Sequence, residues 1–295
     1  MAFVTLGVVS NVWSKLPPST LVERCRAATE QGFEYVELRQ RSLGECEETE
    51  TANGLPWPRP DRLAELRAAV PGLRFNLAVE APFLTTTVSP RDPYLQRCAE
   101  AAFSVGGPDA VLRLVDISPV TSVLDHEETI EEFGRGVEEL ARHLARQGVR
   151  LALENSKQPL IALRAVIRRA AFGLPEGVPI PQVCWDPANQ AAQKLLEEDP
   201  TETARTVGIE ELFMVHFKQA RDGELQPDVA DGDLDWHAIL SALHRRGYRG
   251  PALFELPPSP EIWHTLERST AYIRGLVERI KAEAPAPPVA GRVEP

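Results

Sequence analysis

Short apolar runs alternate with amphipathic segments along almost the whole chain. Phe3–Val9 is apolar apart from Thr5, the pattern of a buried strand. From about Ser19 the apolar positions Leu21, Val22, Cys25 and Ala28 recur at helical spacing until Gly32 closes the segment. The pairing then repeats: Phe33–Leu38, Leu73–Val79, Ala110–Val115, Arg150–Leu153, Gln182–Trp185, Leu212–Val215 and Ala252–Phe254 read as seven further strands. Helices are predicted over about 61–70, 94–104, 127–147, 162–171, 190–207 (interrupted at Pro200), 236–246 and 262–280. Eight strands, each followed by a helix within one unit's length, predict a parallel (β/α)8 barrel, the TIM-barrel architecture. A doubly wound open sheet is the alternative, but no Gly-rich phosphate loop follows the first strand. Residues 1–281 read as one domain, and 282–295 as a Pro-rich flexible tail.

Composition narrows the partners. The 295 residues are 43% hydrophobic and 25% charged, as expected of a soluble protein with a sizeable core. Thirty-two Lys and Arg stand against 43 Asp and Glu, a formal charge of −11, which argues against a nucleic-acid backbone as the main partner. No stretch approaches the roughly eighteen apolar residues of a membrane span. The apolar start has no basic residue before Lys15, so it reads as a strand and not as a signal peptide. The four cysteines, Cys25, Cys46, Cys98 and Cys184, form no CxxC pair, so neither a disulfide framework nor a thiolate zinc site is expected. They read as reduced residues of a cytoplasmic protein.

In such a barrel the active site lies at the C-terminal strand ends. The fifth strand ends Leu151-Ala152-Leu153-Glu154-Asn155, the sixth Val183-Cys184-Trp185-Asp186-Pro187, the seventh Phe213-Met214-Val215-His216, and the eighth Ala252-Leu253-Phe254-Glu255. Each of these four ends in a group able to bind a divalent cation. Acids also end the second to fourth strands, at Glu37, Glu80 and Asp116, and a lone carboxylate or histidine at a strand end is usually structural. Three carboxylates and one imidazole converging on one mouth would nevertheless repel without a cation between them. Three oxygen donors and one nitrogen suit Mn²⁺, the first expectation, and also Mg²⁺, Co²⁺ or Zn²⁺.

These residues carry a resemblance. LALEN, VCWDPAN, VHFKQ, DGDLDW with RRGYRG, and LFEL together resemble the xylose isomerase-like barrel superfamily, over Phe3 to Leu276 but with specific motifs only in the second half. That superfamily includes ketose epimerases, hydroxypyruvate isomerase-like and inosose dehydratase-like enzymes, and the endonuclease IV branch. The resemblance implies one divalent metal held by Glu154, Asp186, His216 and Glu255. It further implies proton transfer by Glu154 and Glu255 on a small sugar or polyhydroxy carbonyl compound through an enediolate, with a homodimer as the family expectation. Two positions depart from the pattern. Asn189 stands where many family epimerases have a substrate-contacting His, and Gln219 where many members have Asp after the Lys. Asn189 can hydrogen-bond a hydroxyl but cannot act as an acid or base.

Other candidates have two readings each. Trp13 is either a wall for stacking a sugar face or a core residue of the rim. Glu37 contacts substrate or pairs locally with Arg39. Arg221 fixes a substrate anion or is a solvated loop charge, whereas Lys218 shares strand alternation with His216 and so is read as substrate-binding. Asp235 reads as a helix N-cap. A dehydratase of the same superfamily is an open alternative. An endonuclease IV-like reading needs three metals and further histidines; this chain has six His in all, and none ends the third or fourth strand.

Overall fold

Parallel strands close on themselves in the computed structural model, which describes residues 4–48, 55–81, 83, 88–117, 127–192 and 199–283. The barrel strands are β1 (Thr5–Val9), β2 (Tyr35–Arg39), β3 (Arg74–Glu80), β4 (Val111–Val115), β5 (Arg150–Glu154), β6 (Gln182–Trp185), β7 (Leu212–Phe217) and β10 (Pro251–Phe254). A two-stranded ribbon, β8 (Ala220–Arg221) and β9 (Glu224–Leu225), follows β7. The order around the barrel is β1-β10-β7-β6-β5-β4-β3-β2, so the eight-stranded (β/α)8 expectation holds. The ribbon had no counterpart in the hydrophobic pattern, because its two-residue strands are too short to show a period.

Helices α1 (Leu21–Glu30), α2 (Pro60–Ala69), α3 (Pro93–Gly106), α4 (Glu127–Arg146), α5 (Leu160–Gly173), α6 (Pro187–Ala192), α7 (Pro200–Thr206), α8 (Trp236–Arg245) and α9 (Ile262–Glu283) follow the strands. Their starts are chemically marked. Thr20 and Glu23 form a capping box at α1, and Asp92, Asp199 and Asp235 each accept a backbone N–H at α3, α7 and α8. The helix expected from residue 190 begins earlier, because Pro187, whose ring fixes the φ of a first helical turn, starts it with only Asp186 between it and the β6 end. The last helix runs through Glu283, two residues past the expected boundary, and residues 284–295 of the expected tail lie outside the described residues. No described helix is long and apolar enough to cross a membrane.

Strand alternation divides the apolar residues in two. The larger cluster lies between strands and helices and includes Phe217, Trp236 and Phe254, with ring centroids 4.9 Å (Phe217–Trp236) and 5.1 Å (Phe217–Phe254) apart. The smaller one, Val9, Tyr35, Val111, Ala152, Cys184, Phe213, Met214 and Leu253, fills the barrel interior. A Cβ on Gly7 would lie 2.4 Å from the Tyr35 carbonyl, so only glycine lets β1 pass the β2 backbone and Tyr35 here. The N-terminal mouth holds a cavity of about 820 Å³, lined by Tyr35, Phe213, Arg67, Arg74 and Arg150. All four cysteines are free and buried.

Candidate metal centre

At the C-terminal mouth, Glu154 ends β5, Asp186 follows β6, His216 lies in β7 and Glu255 follows β10. All four side chains are buried, and each offers one ligand atom within 4.8 Å of the others. His216 Nδ1 is 3.0 Å from Glu255 Oε2, 3.6 Å from Glu154 Oε1 and 3.8 Å from Asp186 Oδ2.

What aims these atoms is the use made of the other oxygen of each carboxylate. Asp186 Oδ1 accepts the Asn189 backbone N–H at 2.9 Å, at the start of α6. Glu255 Oε1 accepts Arg39 Nη1 at 2.6 Å and Asn11 Nδ2 at 3.3 Å. Glu154 Oε2 accepts Arg113 Nη1. Every carboxylate thus has one oxygen tied down and turns the other to a common point. There, Asp186 Oδ2, Glu255 Oε2 and His216 Nδ1 face one another and Lys218 Nζ, and no backbone group among the described residues ties any of them down. Lys218 Nζ lies 2.6 Å from Asp186 Oδ2 and 2.8 Å from Glu255 Oε2 and supplies positive charge at that point. Asn155 ties the strand ends together, donating to the Asp186 carbonyl and accepting its N–H. Three oxygens and one imidazole nitrogen without thiolate fit a divalent cation.

The electrostatics match the geometry. Burial opposes ionisation of Asp186 and Glu255, yet Lys218 and His216 outweigh it and hold both carboxyls below their ordinary range. Burial also works against the His216 imidazolium, but Cys184, Asp186 and Glu154 raise its pKa well above the ordinary value. Lys218 is likewise raised against burial by Asp186 and Glu255.

The other sequence candidates lie around this cluster at different depths. Asn189 Nδ2 reaches Glu154 Oε1 at 3.4 Å, so Asn189 and Lys218 border the site. Glu37 is fully buried in the barrel and pairs with Arg113, not with Arg39, which shares its strand face two residues nearer the mouth and reaches Glu255. Trp13 is fully buried against Trp263 at 5.8 Å, as a rim core residue would be, with no face open for stacking. Arg221 is exposed, and its guanidinium donates to the Asp231 carbonyl across the ribbon loop. Asp235 caps α8 through Ala238 N at 2.9 Å. The sequence reading missed Arg113, Asn155 and Asn11. Arg113 left a signal, a lone cation inside the apolar run Val111-Leu112-Arg113-Leu114-Val115.

Residues 25–274 match the model of the xylose isomerase-like TIM barrel family. The chain belongs to that family. No curated protein matches it in sequence. Among solved structures, an L-ribulose 3-epimerase superposes with TM-score 0.67 at 17% identity, covering 99% of this chain and all of its own. The IOLI protein with a bound zinc atom gives 0.65 at 16%, covering 95% of this family member and 99% of its own chain. A D-psicose 3-epimerase solved with D-fructose gives 0.64 at 13%, covering 93% and 99%. At these identities the likeness is one of fold.

Proposed function

We propose that this family member is a divalent-metal-dependent isomerase or epimerase of a small sugar or polyhydroxy carbonyl compound. The observation that carries the reading is the set of three carboxylates, each with one oxygen restrained and one turned inward, around an inward imidazole nitrogen at the C-terminal mouth. The neighbouring structures named for epimerases of ribulose and psicose, and for a zinc-bound protein, agree with it. Glu154, Asp186, His216 and Glu255 would hold the cation. A bound divalent cation supplies Lewis-acid stabilisation of the charge that develops on oxygen when a carbon acid beside a carbonyl loses its proton.

The proton itself is the task of the glutamates. Glu154 and Glu255 come from β5 and β10, two strands separated by β6 and β7, so a substrate between them meets a carboxylate from either side. One would take the proton from carbon and the other return it to the opposite face or to the adjacent carbon. Each would act through its inward oxygen, Glu154 Oε1 or Glu255 Oε2, whose second lone pair stays open because the other oxygen is held by Arg113 or Arg39. Lys218 and Asn189, polar and bordering the cluster, steady the substrate oxygens. The nuclease alternative has less support, since the described cluster contains a single imidazole and His264 is exposed on α9.

The test is a panel of ketoses and keto-acids incubated with Mn²⁺-loaded protein in D₂O. Deuterium entering one carbon of one compound identifies substrate and reaction class together. Scission of abasic DNA with no exchange into any compound refutes the reading.

A further inference from the structure

Beneath the ligand cluster lies a second buried charge network. Arg113 projects from β4 into the barrel, fully buried, and forks onto Glu37 of β2, with Nε donating to Oε2 at 2.8 Å and Nη2 to Oε1. Its remaining Nη1 donates to Glu154 Oε2 on β5. Glu37 also accepts Asn76 Nδ2 from β3 at 2.7 Å, and its Oε1 lies 3.5 Å from His216 Nε2 on β7, an atom that Cys184 Sγ meets from another side at 3.4 Å. The network therefore touches the proposed metal ligands at two atoms, Glu154 Oε2 and His216 Nε2, and both are the atoms facing away from the common point.

Taking a guanidinium and a carboxylate fully out of water is costly, and a buried ion pair is a poor source of stability compared with apolar packing. A network retained at that cost in an otherwise apolar interior needs another use. Its geometry supplies one. With Oε2 held by Arg113, Glu154 offers only Oε1 to the cluster. With a carboxylate beside Nε2, the neutral imidazole keeps its proton there and frees Nδ1, the atom turned toward the three carboxylates.

We propose that Arg113, with Glu37, is a positioning residue of the metal centre: the pair selects which oxygen of Glu154 and which nitrogen of His216 meet the cation. The role rests on Glu154 and His216 being metal ligands. Arg113 does not touch substrate and acts only through those two side chains.

Mn²⁺ affinity and thermal unfolding of the full chain separate positioning from mere stability. Arg113→Met leaves Glu37 and Glu154 Oε2 buried without their guanidinium, and Glu37→Gln leaves Arg113 with Glu154 alone, so both lower the Tm. The double variant removes the Arg113 and Glu37 charges together, leaves only Glu154 Oε2 without its partner, and recovers part of the loss. Positioning requires that the folded double variant still bind Mn²⁺ about 10- to 100-fold more weakly than the unmodified protein. Equal affinity in that variant overturns the proposal. A second readout needs no variant. In protein labelled with ¹⁵N-histidine and loaded with Zn²⁺, the His216 signals should show Nδ1 coordinated and Nε2 carrying the proton; zinc on Nε2 overturns the assignment. Failure of the unmodified protein to take up either ion overturns the metal-site reading and this role together. Uptake with unchanged affinity in the folded double variant overturns the role of Arg113 alone.

Discussion

The two mouths of this barrel handle charge in opposite ways. At the N-terminal mouth, Arg74 lies over the Tyr35 ring at 5.5 Å and Arg150 over Phe213 at 5.9 Å, and no salt bridge is formed by Arg67, Arg74 or Arg150 among the described residues. Arg67 and Arg74 are exposed and Arg150 half-buried, so water carries most of their solvation. At the C-terminal mouth Glu37, Arg113, Glu154, Asp186, His216 and Glu255 are all buried, and Lys218 nearly so. The first mouth holds a cavity of about 820 Å³, yet the ordered chemistry is at the second. Charge left in water is cheap to keep, whereas charge withdrawn from it must be balanced group by group. The balanced mouth is therefore the better guide to function, and size of cavity is a poor one.

The sharpest break of the comparison is to remove a ligand. His216→Ala or Asp186→Ala should abolish stoichiometric metal content after dialysis and lower turnover by about a thousand-fold or more, a loss of over 4 kcal/mol in transition-state stabilisation. Metal retained at full occupancy in the double variant would place the site elsewhere. Next in size, Glu154→Gln and Glu255→Gln made separately should keep the metal, bound more weakly, while solvent deuterium exchange into substrate falls by about 10²- to 10⁴-fold. Near-normal exchange in both variants removes the two-glutamate mechanism.

Outside both mouths, Trp236→Ala should cost about 3–5 kcal/mol in denaturant unfolding. Trp236 is fully buried against Phe217, and its indole N–H donates to the Lys218 carbonyl at 2.9 Å. A cost below about 1 kcal/mol would mean that the layer outside β7 is loosely packed. The cysteines test burial directly. Burial pushes the Cys25, Cys46, Cys98 and Cys184 thiols up to about 12, so below that pH they stay protonated. A thiol reagent at pH 8 should label none of them in native protein and all four after unfolding. The smallest effect belongs to the N-terminal mouth. Arg74→Ala removes an exposed guanidinium and its hydrogen bond to Thr5 Oγ1, and should change stability by about 1 kcal/mol or less with metal affinity unaltered. A loss of metal there would show that the two mouths are coupled.

The architecture was legible in the linear pattern because a parallel strand buried on both faces is a short apolar run, and Leu212–Val215 or Ala252–Phe254 need no partner to be seen as one. The ligand set was legible for a related reason: Glu154, Asp186, His216 and Glu255 stand at the ends of such runs, and the fold sends those ends to one mouth. Which oxygen of each carboxylate faces inward was not legible. That choice depends on Arg39 reaching Glu255 from β2, on Asn189 N meeting Asp186 Oδ1, and on Arg113 spanning from Glu37 to Glu154. Arg39 and Glu255 are 216 residues apart in the chain and Arg113 and Glu154 are 41 apart. Glu37 illustrates the limit: Arg39, two residues on and on the same strand face, was the obvious partner in sequence, but Arg39 sits nearer the mouth and reaches Glu255, and barrel closure gives Glu37 Arg113 instead. Periodicity is a local property and survives in the sequence; the pairing of buried charges is decided by strand register and closure, which exist only once the barrel has formed.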